Sequence, residues 1–97
     1  MVKKKFTIVW TLKAEKSLGD IYNFYKNKSI QGAFNVINDI VKSPTNIVFS
    51  EQFQIDDVNL KYRRIIVRDY KVLYRETDNE IIIVDVICTL MNPKQFE

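Results

Sequence analysis

The chain contains no histidine and a single cysteine, Cys88. Without histidine, the Ser-His-Asp and Cys-His arrangements of nucleophilic catalysis cannot be assembled, and neither can zinc centres of the Cys/His type. A lone thiol cannot close an intramolecular disulfide, which excludes the disulfide-stapled secreted scaffolds and fits a reducing compartment. Glycine and proline are also scarce, two of each, as in an ordinary globular protein and unlike a disordered or fibrous one. The longest apolar run is Ile81-Ile82-Ile83-Val84, far short of the ~18 residues that a membrane span needs. The lysine-rich start leads into a stretch broken by Thr7 and Thr11 and lacks a small-residue cleavage site. No leader, no membrane association and a cytoplasmic location are therefore expected. Neither a metal nor a cofactor is expected.

What remains is 97 residues, 46% hydrophobic and 28% charged, which predicts one domain over residues 1–97. Residues 5–9 alternate, with Phe6, Ile8 and Trp10 on one side, and predict a first strand. Thr11 then offers a helix N-cap. Ala14, Leu18, Ile21, Tyr22 and Tyr25 recur at helical spacing, and after the Asn27-Lys28-Ser29 break Ala33, Val36, Ile37, Ile40 and Val41 do the same until Pro44. These stripes predict helices over residues 11–27 and 31–43, forming a helical hairpin. Residues 45–60 have no sustained period and predict a long connection. From Lys61 onward β-branched and aromatic residues dominate, predicting strands over 62–67, 70–75 and 80–89. The predicted fold is α+β, in the order β-α-α-β-β-β, with the helical hairpin on one face of an antiparallel sheet.

Arg68-Asp69 leaves a two-residue turn, and so short a turn fixes register. If Val67 opposes Tyr70, one face carries Tyr62, Arg64, Ile66, Lys71, Leu73 and Arg75, with Tyr62 opposite Arg75. The other carries Arg63, Ile65, Val67, Tyr70, Val72 and Tyr74. The second set is the more apolar and is expected under the helices, leaving the basic face outward. Six of the fifteen basic residues fall between Lys61 and Arg75 against the single acid Asp69, whereas residues 45–60 hold Glu51, Asp56 and Asp57 and no base. Guanidinium and ammonium groups interleaved with tyrosine suit phosphate contact and base stacking. The same pattern also suits a solvated face that resists edge pairing. Trp10, Tyr22 and Cys88 are expected in the core, and Lys3, Lys4 and Lys5 in solvent.

The run Tyr62-Arg63-Arg64-Ile65-Ile66-Val67-Arg68-Asp69-Tyr70-Lys71-Val72-Leu73-Tyr74-Arg75 resembles the core of the RelE/ParE superfamily, the toxins of bacterial type II toxin–antitoxin (plasmid stabilisation) systems. Ile8-Val9-Trp10 followed by Ala14, Leu18, Ile21 and Tyr25 is similar to that family's first strand and helix, and Cys88-Thr89-Leu90-Met91-Asn92-Pro93 to its closing segment.

The resemblance implies a cytoplasmic toxin neutralised by a cognate antitoxin, as a toxin dimer or a hetero-oligomer with the antitoxin. One branch of the family cleaves messenger RNA on the ribosome and the other poisons DNA gyrase. The strand-borne basic positions of the nucleases fall here on Tyr62, Arg64 and Lys71, so Arg64 and Lys71 are the catalytic candidates of a nuclease. Tyr62, Arg64, Lys71 and Arg75 form the candidate surface for a target or nucleic acid. A further nuclease arginine and a terminal tyrosine fall on Met91 and near Phe96-Glu97, and Leu90 stands where many relatives are basic. The resemblance thus favours a ParE-like toxin that binds a target such as DNA gyrase. The alternatives are a RelE-like ribosome-dependent endonuclease and a non-toxic member kept as an antitoxin-binding partner.

Overall fold

In the computed structural model, which describes residues 6–90, Thr11 joins the first strand, the first helix and the last strand. Strand β1 (Thr7–Trp10) runs directly into it, and helix α1 (Leu12–Lys26) starts from it. The Thr11 hydroxyl accepts from the Ala14 N–H at 3.1 Å, which is the expected N-cap. It also donates to the carbonyls of Ile83 and Val84, each at 3.0 Å, in the last strand. Ser29 caps helix α2 (Ile30–Lys42) in the same way, accepting from the Gly32 N–H at 2.9 Å. At the far end of α2 the chain tightens into a 3-10 turn, Ser43–Asn46, that carries Pro44. A second 3-10 turn spans Ser50–Gln52.

Three strands follow: β2 (Arg63–Val67), β3 (Tyr70–Thr77) and β4 (Glu80–Cys88). The sheet order is β1-β4-β3-β2. β2, β3 and β4 pair antiparallel as expected, but β1 lies parallel to β4, so the sheet is mixed. The reason is topological. No short turn ties the direction of β1 to that of a neighbour, and residues 43–62 bring the chain back so that β2 runs the same way as β1.

The turn at Arg68-Asp69 sets the expected register, pairing Val67 with Tyr70, Ile66 with Lys71 and Arg64 with Leu73. Arg68 adopts a left-handed φ of 54°, and its guanidinium Nε reaches Asp39 of α2 at 2.8 Å. That reach is something glycine, the usual residue for such a φ, would not provide. Between β3 and β4, Leu73 opposes Asp85 while Tyr74 opposes Ile83, so Val84 is the extra residue of a β-bulge. The carbonyls that Thr11 binds belong to that bulge and to Ile83 before it.

The main core lies on the face expected under the helices, while Leu73, expected on the outward face, is buried as well, at 2% exposure. Ile65, Tyr70, Val72 and Tyr74 pack with Ile81, Ile83 and Val86 of β4, Ala14 and Ile21 of α1, and Val36 and Ile40 of α2. Ile40, Val72, Ile81 and Ile83 are fully buried, each worth ~1.5–3 kcal/mol over an exposed position. Trp10 and Cys88 pack against this cluster, and Tyr22 sets its ring edge-on to Phe34 of α2.

Candidate functional site

Arg64 and Lys71 sit diagonally on adjacent strands, two rungs apart on the ladder, so both project from the face away from the helices. The structure brings them together, and it also places a counter-charge on them. After the second 3-10 turn the connection becomes extended and pairs with the chain entering β2. Ile55 bridges antiparallel to Arg63, the Arg64 N–H donates to the Gln54 carbonyl at 3.0 Å and the Asp56 N–H to the Tyr62 carbonyl at 2.8 Å. This short return covers the edge of β2 and carries Asp56 over the sheet, where it is 0% exposed.

The Lys71 ammonium donates to both Asp56 oxygens, at 2.9 and 3.1 Å. Arg64 Nη1 lies 3.4 Å from Asp56 and 3.2 Å from Asp57, and Arg64 Nη2 lies 3.4 Å from Gln54 Oε1. The backbone N–H groups of Val58 and Asn59 also donate to Asp56, at 3.2 and 2.7 Å. Burial pushes the Asp56 carboxyl up, but the hydrogen bond from Lys71, the N–H donors and the Lys71 charge outweigh it and hold the carboxyl at about 2. The expectation of an outward basic face is therefore corrected. The side chains of Arg64 and Lys71 are only 22% and 13% exposed, because the connection lies over them, and its Asp56 and Asp57 offset their charge.

The other two candidates lie elsewhere. Tyr62 precedes β2 and belongs to the connection's own turn, donating its N–H to Asn59 at 3.0 Å. The β2–β3 ladder ends at Arg63 and Tyr74, so the expected pairing of Tyr62 with Arg75 does not form. Arg75 is exposed on β3, beside Ile82 of β4. Tyr74 is buried and donates to the Ser50 carbonyl at 2.7 Å; burial pushes its hydroxyl pKa up. Met91, Phe96 and Glu97, like Lys3, Lys4 and Lys5, lie outside the described residues.

Residues 8–93 match the family model described as the ParE toxin of type II toxin-antitoxin system, parDE. The chain belongs to the ParE toxin family. A chain of the chromosomal ParDE TA system from P. aeruginosa is similar in fold, with a TM-score of 0.74 at 20% identity, over 88% of this chain and 97% of that one. Among curated proteins there is no match.

In this ParE-family chain, the strand-borne bases are thus two cations held against Asp56 and Asp57. Sequence reasoning missed Asp56. The signal was present in the segregation of three acids in residues 45–60 from six bases in residues 61–75, a complementarity that folding the connection back onto the hairpin satisfies. Among the described residues no helix is long and apolar enough to cross a membrane.

Proposed function

We propose that the chain is a cytoplasmic toxin that acts by binding a macromolecular target, DNA gyrase being preferred, and that a cognate antitoxin neutralises it. The observation that carries this reading is the Asp56 contact with Lys71 and Arg64. Cleavage of RNA by its own 2′-hydroxyl needs a proton acceptor, stabilisation of the developing phosphorane charge and a proton donor to the leaving oxygen. Arg64 and Lys71 are the groups suited to the second task, and their charge is offset internally. Tyr74 is buried with its proton committed to Ser50, which argues against it as the donor. A binding mechanism needs none of these groups, only a complementary surface.

The experiment is a pair of assays on one preparation, gyrase supercoiling and ribosome-dependent cleavage of messenger RNA. Inhibited supercoiling with intact message is expected. Efficient cleavage that Arg64→Ala or Lys71→Ala abolishes in a folded chain would overturn the reading in favour of the endonuclease.

A further inference from the structure

The connection between α2 and β2 is built inside out. Of the large apolar residues between positions 47 and 60, only Ile47 and Phe53 turn toward the core. Val48, Phe49, Ile55, Val58 and Leu60 are all exposed, Leu60 at 71%. Single exposed apolar residues are ordinary on a protein surface, but five on one connection are a concentration. What anchors this stretch is polar. The Tyr74 hydroxyl donates to the Ser50 carbonyl and Arg63 Nη1 to the Phe53 carbonyl, at 2.7 and 2.8 Å, while Gln54 and Asp56 pair with the chain entering β2. Side chains close the turns on either side, Gln52 Oε1 accepting from the Val48 N–H and Asp56 from those of Val58 and Asn59. The apolar side chains are thereby held in place without being covered.

Position and charge narrow what could cover them. β2 is an edge strand, and the connection lies along that edge and over Arg64 and Lys71, so a partner approaching from this side meets the connection before the basic pair. Nucleic acid is a poor match. Phosphate contact needs free cations, yet residues 45–60 contain no base, and Arg64 and Lys71 are held by Asp56 and Asp57. Within residues 45–65 only Lys61 is an exposed base. Glu51 is exposed as well and forms no ion pair among the described residues.

We infer that residues 47–60 are the surface that meets the toxin's target, and that the partner there is protein rather than DNA, an apolar surface with a lysine or arginine opposite Glu51. This inference rests on the reading of the chain as a toxin that acts by binding. A surface already ordered before the encounter loses less freedom on binding, and the Asp56 contact with Lys71 supplies that order. The connection thus exchanges roles with the hairpin beneath it. The bases fix the segment, and the segment makes the contact.

The test uses the full chain, gyrase and the cognate antitoxin. The unsubstituted chain should bind gyrase subunits in the absence of DNA as well as inhibit supercoiling. Phe49→Ser, Leu60→Ser and Glu51→Lys, all at exposed positions, should each weaken both effects about tenfold or more, the scale of an interface anchor. Their thermal unfolding and their affinity for the antitoxin should stay as in the unsubstituted chain. Leu12→Ser, at an equally exposed apolar residue of α1, should leave inhibition unchanged. Inhibition that persists undiminished in all three variants overturns the surface assignment and leaves the target reading intact, whether the variants lose antitoxin binding, lose self-association in sedimentation or lose nothing. Binding that requires DNA overturns the choice of a protein partner. If the unsubstituted chain neither binds gyrase nor inhibits it, the target reading fails and the inference falls with it.

Discussion

The Lys71 ammonium grips both oxygens of Asp56, at 2.9 and 3.1 Å, across 15 residues of sequence. Asp56 is fully buried, so the contact both fixes the connection over β2 and withdraws the Lys71 charge from solvent. Removing one partner of a buried pair leaves an uncompensated charge, which costs about 3–5 kcal/mol. Asp56→Ala is expected to lower stability by that amount in urea unfolding, and Asp56→Ala with Lys71→Met to recover much of it. Asp57→Ala, at an exposed partner of Arg64, should cost under about 1 kcal/mol.

Acid should act through the same carboxyl. Its folded pKa of about 2 lies below the ordinary 3.8, so the unfolded chain takes up the proton first as pH falls. The stabilisation is fully present above about pH 5 and is lost as pH falls through 3.8 toward 2, amounting to about 2 kcal/mol. Unfolding free energies measured between pH 6 and pH 2 should show this slope, and Asp56→Asn should flatten it.

Thr11 supplies both a helix cap and a clasp on the bulge of β4. Thr11→Val keeps the shape and loses the hydroxyl, and is expected to cost about 2 kcal/mol or more, above the ~1 kcal/mol of a typical cap. Thr11→Ser should retain most of the stability. Thermal unfolding of the three proteins provides the comparison.

The two glycines should respond differently to alanine. A Cβ on Gly19 meets nothing within 4 Å, so Gly19→Ala should stabilise α1 by about 0.5–1 kcal/mol. A Cβ on Gly32 meets the Ser29 Cβ and Oγ at 3.3 Å, and that Oγ is the cap of α2. Gly32→Ala should therefore yield less than Gly19→Ala in the same denaturation series.

The helices were legible because Ala14, Ile21, Ala33, Val36 and Ile40 repeat at helical spacing and are buried together. The register of β2 and β3 was legible because a two-residue turn leaves little choice. The parallel placement of β1 was not, since strand alternation reads the same in either direction and no turn joins β1 to β4. Residues 45–60 were illegible for a related reason. Their order comes from long-range partners, with Asp56 on Lys71, Gln54 on Arg64 and Phe53 accepting from Arg63 Nη1 at 2.8 Å, and periodicity does not encode such contacts. Arg64 and Lys71 were thus correctly placed on one face, while Asp56, which decides their electrostatics, was not identified.

The clasp between Thr11 and β4 also bears on biosynthesis. The residues that Thr11 binds lie 72 and 73 positions further along the chain, and the whole partner of β1 is equally remote. The helical hairpin and the β2–β3 hairpin close over short stretches of sequence, whereas β1 finds its partner only once β4 is present, and pairings so distant in sequence form slowly. Throughout that interval the nascent chain displays β1 and the apolar faces of both helices without their final cover.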